Sequence, residues 1–239
     1  MNTRSTKFPS QAPLTALFLS VLAMSGMPAT AQNPAMQEKV AQIKQAMAAN
    51  KAALSHYTWQ EQMQVSLKGD VKSTKLYQVV MTNGQQQKSE ISASPQAEPS
   101  GGRLKRHIVE KKTDEFTQYG QSIGALVKQY AAPNPDAIDQ AKAQGNISLQ
   151  PDSGNGTVSI VIKSYIKPGD SVTLVFSTQE KAIVSVNVNS YLTDPKDAVT
   201  MAITYAKLPS GVNHVATVQV NGISKQMGVN IQNSNYQQL

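Results

Sequence analysis

Tyr57-Thr58-Trp59-Gln60-Glu61-Gln62-Met63-Gln64-Val65-Ser66-Leu67 alternates large apolar residues with polar ones along its whole length. A side-chain period of two belongs to a strand with one apolar and one wet face. Glu61 sits among the apolar positions and breaks the set. Lys68-Gly69-Asp70 then turns the chain into a second strand, Val71 to Met81, and Asn83-Gly84 marks a hairpin into a third near Gln87 to Ser92.

The same period returns downstream. Val158, Ile160 and Ile162 alternate with Thr157, Ser159 and Lys163, and Lys167-Pro168-Gly169-Asp170 turns the chain. Val172, Leu174 and Phe176 follow, then Val184, Val186 and Val188 set against Ser185, Asn187 and Asn189. Val199, Met201, Ile203 and Tyr205, then Val215 to Val220, then Met227, Val229 and Ile231 complete the run. Strict alternation between short turns predicts antiparallel strands with one solvated face, since parallel strands read as continuous apolar runs.

Three helices are expected. Asn33 and Pro34 suit the start of the first, which runs to about Ser55 with Met36, Val40, Ile43, Met47 and Leu54 on one stripe. Ser94 to Gly102 is a loop by composition. The second helix runs from about Arg103 to Tyr130, and a short third is framed by Asn134, Pro135 and Gly145. About nine strands and three helices predict an α+β fold: a large curved antiparallel sheet, an incomplete barrel, covered on one side by the helices.

The amino end has a different character. Arg4 and Lys7 precede an apolar stretch from Leu14 to Met27, and Ala29-Thr30-Ala31 is a small-residue exit. This order describes a secretory signal peptide over residues 1–31, cleaved near Ala31. Its apolar part is shorter than the roughly 20 residues of a transmembrane helix. The expectation is a periplasmic or secreted protein, with residues 32–239 as a single domain carrying a helical insertion near 103–144. No cysteine is present, which excludes disulfides, thiolate metal sites and lipid-modified cysteine. Cysteine-free export points to a bacterial periplasm.

The formal net charge is +7. Residues 32–131 hold 13 Lys and Arg against 8 Asp and Glu, whereas residues 132–239 hold 7 of each. The surplus gathers at Arg103, Lys105, Arg106, Lys111 and Lys112. Such a run is first a solvated helix face, and second a surface for an envelope protein or an anionic membrane. Aromatic residues are not interleaved with it, which disfavours nucleic acid.

Catalytic signatures are sparse. Gly120-Gln121-Ser122-Ile123-Gly124 matches G-x-S-x-G, with His214 downstream and Asp194 or Asp197 as a conceivable acid. That motif has force only on a strand-to-helix turn above a parallel sheet, and here it falls inside a helical stripe. His107 and Glu110 make at most half a metal site. Asp152-Ser153-Gly154-Asn155-Gly156 reads as a turn, without the EF-hand spacing. Glu61 reads first as a residue at the sheet rim, and otherwise as one paired with a lysine or as a buried functional carboxylate with a raised pKa; no second carboxylate partners it in sequence for acid/base work. The reading calls for no enzyme, metal or cofactor.

The order of leader, amphipathic helix, meander from Tyr57-Thr58-Trp59, helical insertion and long antiparallel run resembles the LolA-like superfamily of periplasmic lipoprotein-carrier-like proteins. The chain also resembles a group of uncharacterised bacterial exported proteins. There the matching pieces are Val65-Ser66-Leu67-Lys68-Gly69, Lys167-Pro168-Gly169-Asp170-Ser171-Val172-Thr173-Leu174, Tyr191-Leu192-Thr193-Asp194-Pro195-Lys196-Asp197 and Gln232-Asn233-Ser234-Asn235-Tyr236. The resemblance implies a half-barrel closed by helices around an apolar cavity for acyl chains. The expected function is therefore a non-enzymatic carrier of a lipid-like ligand, with Trp59, Met63, Phe176, Met201 and Tyr205 as candidate lining. The alternative is an envelope scaffold with a filled core that binds through 103–112.

Overall fold

The computed structural model describes residues 34–82, 85–93, 103–130, 134–152 and 154–239, with backbone alone at some positions, among them 103–113. The stretch read as a signal peptide, the expected Asn83-Gly84 turn and the expected Ser94–Gly102 loop lie outside the described residues. So do the side chains of Arg103, Lys105, Arg106, His107, Glu110, Lys111 and Lys112, although their backbone belongs to a helix.

Ten strands form one open, wholly antiparallel sheet. After α1 (Pro34–Leu54) come β1 (Tyr57–Leu67), β2 (Asp70–Thr82) and β3 (Gln85–Ala93). Next come α2 (Arg103–Tyr130) and α3 (Pro135–Ala143). The second run is β4 (Ile147–Asp152), β5 (Thr157–Lys163), β6 (Ser171–Ser177), β7 (Ala182–Tyr191), β8 (Ala198–Lys207), β9 (Asn213–Gly222) and β10 (Met227–Gln238). The spatial order is β3-β2-β1-β10-β9-β8-β7-β6-β5-β4. Two meanders are thus joined by the β1–β10 pair, while α2 and α3 carry the chain from one edge to the other.

The expected count of nine strands falls one short. Ile147-Ser148-Leu149-Gln150-Pro151-Asp152 pairs with β5, Ile147 opposite Ile162 and Leu149 opposite Ile160. Pro151 is accommodated because β4 is an edge strand, where one side needs no ladder donor. At the other end, β10 continues to Gln238 because β1 offers partners as far as Tyr57. The β1–β2 turn places both Lys68 (φ 54°) and Gly69 (φ 88°) in the left-handed region, as a tight two-residue hairpin requires.

Register turns alternation into rows. One apolar row runs Met63, Ile231, Val218, Ile203, Val186, Leu174, Ile160, Leu149 from β1 to β4. A second runs Val65, Val229, Val220, Met201, Val188, Val172, Ile162, Ile147. The opposite face carries rows such as Gln62, Gln232, Thr217, Thr204 and Ser185, as the alternation predicts.

The helices pack on the apolar face. Phe116, Tyr119, Ile123, Leu126, Val127 and Tyr130 of α2, with Ile138 and Ala141 of α3 and Met47 of α1, join one core with the strand rows. At 28 residues α2 is about 42 Å long and spans several strands. Two polar anchors fix its course. Near β9, Tyr119 donates to Asp197 at 2.8 Å, and Ser224 donates to the same oxygen at 2.5 Å. At its carboxyl end, Tyr130 donates to the buried Asp170 at 2.5 Å. Asp170 also accepts from the backbone amides of Tyr165, Ile166 and Lys167, so one carboxylate closes the β5–β6 turn and holds the helix. The third helix is capped by Asn134, whose side chain accepts from the Asp136 amide at 2.9 Å.

Gly222 is where helix and sheet come closest. A Cβ there would stand 2.6 Å from Tyr119 Oη and 2.7 Å from Ile123 Cδ1. Gly222→Ala is expected to destabilise the fold by roughly 1–3 kcal/mol through overpacking, read as a lower midpoint in urea with an unchanged slope. The neighbouring Gly124→Ala, whose Cβ meets nothing within 4 Å, serves as the control and should leave the midpoint the same or raise it.

Candidate functional site

Phe176 and Met201 are 3 % exposed and lie inside the core beneath the helices. Phe176 faces Val158 and Ile183, and Met201 faces Val188 and Val220. Tyr205, half-buried on β8, packs against the same core, and burial raises its phenol above the ordinary tyrosine range. Trp59 and Met63 stand apart on β1. The five candidate lining residues therefore fall into two groups. A cavity of about 10 Å³ lies between α2, α3 and β5–β7, lined by Tyr130, Ile138, Ile162, Tyr165, Val172, Leu174 and Val186. Such a space admits about one water and no acyl chain.

The core is not uniformly closed along the apolar rows. Ile160, Leu174, Val186 and Ile203 are 2–4 % exposed, whereas Val218, Ile231 and Met63 in the same row are half-buried. In the second row Ile162, Val172, Val188, Met201 and Val220 are buried, and Val229 and Val65 are half-buried. The apolar face thus opens progressively from β5 toward β10 and β1.

At the end of that half-open strip lies a polar cluster. Glu61 occupies the next inward position beyond Met63, opposite Asn233 of β10 and Tyr77 of β2. It is 5 % exposed and is held by Lys88 of β3, whose ammonium reaches both carboxylate oxygens at 2.6 and 2.7 Å. Of the readings open from sequence, lysine pairing is the one realised and the rim reading is overturned by the burial of Glu61; the partner comes from β3, the strand after next, which no local pattern reveals. Trp59 stacks on Tyr236 with ring centroids 5.3 Å apart, and Tyr236 meets His214 at 4.2 Å. Val215 O accepts from Asn233 Nδ2 at 3.0 Å and from Tyr236 at 3.2 Å, and His214 Nδ1 lies 3.1 Å from it. Among the described residues, two buried polar atoms of this cluster have no protein partner: Trp59 Nε1 and Asn233 Oδ1. Asn233 and Tyr236 were not singled out as site residues from sequence, and His214 only as a conceivable partner of Ser122, because only the β1–β10 and β9–β10 pairings bring them to Trp59 and Glu61.

The G-x-S-x-G match has none of its required setting. Ser122 lies within α2, exposed, and donates to Gln118 O of its own helix at 3.0 Å. The Asp152–Gly156 segment is the β4–β5 turn, where Asp152 accepts from the Gly154 amide and from Asn155 Nδ2. Among the described residues no group of three His, Asp or Glu is placed to hold a metal ion, and no helix is long and apolar enough to cross a membrane.

No protein-family model matches this chain, and no curated protein matches it. Among solved structures the chain is similar to a DUF1329 family protein from Desulfovibrio piger. The two share 10 % sequence identity over 84 % of this chain and 92 % of that one, with a TM-score of 0.37.

The Glu61–Lys88 pair is asymmetric: the carboxylate is buried and the ammonium is 38 % exposed. Lys88→Met leaves a buried charge uncompensated and is expected to cost about 1–3 kcal/mol in urea unfolding. Adding Glu61→Leu should recover most of that loss, because the double variant removes both charges.

Tyr236 supplies a pH test. Burial first, and the negative charge of Glu61 second, push its phenol above the usual range; burial does the same to Tyr130, Tyr165 and Tyr119. The unfolded chain then loses these protons first, so stability is complete below about pH 10 and falls as pH rises further. Tyr236→Phe should flatten that alkaline decline by up to about 1.4 kcal/mol per pH unit, measured by urea unfolding from neutral to strongly alkaline pH.

Proposed function

We propose that the chain is an exported, non-enzymatic binding or carrier protein for an apolar, lipid-like ligand. The observation that carries this reading is the opening of the two apolar rows. They are closed at β5–β8 and become half-buried at Met63, Val65, Val229 and Ile231, on the same face as the helices. Apolar surface left half-solvated beside a filled core gains about 25 cal/mol for each Å² that a ligand removes from water. The ligand lies along β1 and β10, with Met63 beneath it and Trp59 at its polar end. Phe176, Met201 and Tyr205 serve as the packed wall behind it and not as lining. The open antiparallel sheet with helices on one face supports the LolA-like half-barrel read from the sequence. The leader ending at Ala31 supports export to a periplasm.

Native mass spectrometry of the protein isolated from the envelope fraction of its own host, before and after organic extraction, tests the reading. The expected result is a chain beginning near Gln32 that carries a species of lipid mass, removed by extraction. An intact leader would overturn export. A cleaved chain that is repeatedly bare would overturn the carrier and direct attention to a protein partner for the helix that begins at Arg103.

A further inference from the structure

Four turns meet at the end of the sheet where β1 finishes and β10 begins: 68–69, 164–170, 192–197 and 223–226. Hydrogen bonds join them into one rim. Lys68 N donates to Gln226 O at 2.8 Å, Ser224 donates to Asp197 at 2.5 Å, and Lys167 Nζ donates to Leu192 O at 3.0 Å. The rim runs from β2 to β5, eight neighbouring strands, or roughly 34 Å at about 4.8 Å between strands. Val71, Ile166 and Ile223, within or beside three of these turns, are 59 %, 39 % and 55 % exposed. The other two large apolar residues exposed among the described residues, Ile91 and Leu239, stand singly on the edge strand β3 and at the carboxyl terminus.

Lysines flank the exposed apolar residues. Lys68 and Lys72 bracket Val71, Lys163 precedes Ile166, Lys225 follows Ile223, Lys196 stands on the turn between, and all five are exposed. The acids of the rim are occupied. Asp70 pairs with Lys72 at 3.1 Å, Asp194 accepts from the Lys196 amide at 2.8 Å, and Asp170 and Asp197 hold α2. The opposite end of the sheet is different: turns 154–156, 178–181 and 208–212 hold one glutamate, Glu180, and one lysine, Lys181, and their apolar Leu208 and Val212 are half-buried. A single exposed apolar residue is ordinary on a monomer. Three on one rim, each beside lysine and none joining the core, call for something that covers them.

We propose that this rim docks on an anionic lipid surface, with Val71, Ile166 and Ile223 at the boundary of headgroups and acyl chains and the lysines on the phosphates. Apolar area and attraction to anionic lipid add in such binding. Lysine suits it, because the aliphatic stem lies along apolar surface while the ammonium stays at the headgroups. A protein partner is the weaker fit: protein interfaces are depleted in lysine and enriched in arginine and aromatic rings, and these turns expose neither. The docking goes beyond the carrier reading and stands whether or not the half-open strip holds a ligand.

Co-sedimentation of the purified protein with vesicles tests it. Vesicles of phosphatidylcholine alone are compared with an equal mixture of phosphatidylcholine and phosphatidylglycerol. The expected result is binding to the mixture alone, weakening as salt screens the lysines. Lys196→Gln with Lys225→Gln should lower the affinity about tenfold or more, and Val71→Ser with Ile223→Ser about tenfold. Lys181→Gln at the opposite end should leave it unchanged. All of these side chains are exposed, so each variant should keep its urea midpoint. The chain has no cysteine, so a polarity-sensitive dye on Ile223→Cys reads insertion directly. Its emission should shift to the blue on the mixed vesicles, while the same dye on Gln179→Cys at the opposite end should not move. Equal binding to both vesicles, or a dye on Ile223→Cys that does not respond, overturns the proposal. Binding to the mixture that survives both double variants overturns it and points to the basic run that opens α2. No binding to either vesicle overturns it and leaves a protein as the occupant of the rim.

Discussion

The pairing of β1 with β10 is the contact on which the sheet depends. Tyr57 lies opposite Gln238 and Leu67 opposite Met227, so the first strand of the described chain is stitched to the last. Without that ladder the sheet is two pieces, a three-stranded meander and a seven-stranded one, linked through α2 and α3. Closing so long a loop costs chain entropy before any contact rewards it. Its return is two apolar rows that run unbroken from β1 to β4 and give the helices a single surface to cover.

How α2 crosses that surface follows from two carboxylates. Asp197 takes the Tyr119 hydroxyl near β9, and Asp170 takes that of Tyr130 beside β6 and β7. The described core closes the rows at β5–β8, while Met63 and Val65 of β1 and Val229 and Ile231 of β10 are half-buried. Hydrophobicity does not decide it, since Met63 and Ile231 are as apolar as the buried Ile203 and Val186 in their own row.

The polar cluster at the strip's end has the same origin. Trp59, Glu61, Lys88, Asn233 and Tyr236 come from three strands, β1, β3 and β10, and His214 from a fourth, β9. Each is unremarkable in sequence, and only Glu61 violates the pattern around it. Assembled, they make a buried carboxylate paired with Lys88 beside the Trp59–Tyr236–His214 ring contacts.

The sequence by itself determined the local layer: antiparallel strands from strict alternation, three helices with their ends, the wet face of Asn, Gln, Thr and Ser, and Glu61 as the one misfit. These depend on periods of two and of 3.6 and on turn residues, all encoded within a few positions. It missed β4, because Pro151 reads as a breaker unless the strand is known to lie at an edge. It also grouped Trp59 and Met63 with Phe176, Met201 and Tyr205, because all are large apolar residues on inward faces. Only the tertiary structure decided that Trp59 and Met63 stand on β1, apart from Phe176 on β6 and Met201 and Tyr205 on β8, and that Lys88 and Asn233 are the neighbours of Glu61. Register and helix course set those distances, and both are fixed by contacts between residues far apart in the chain, which no local period records.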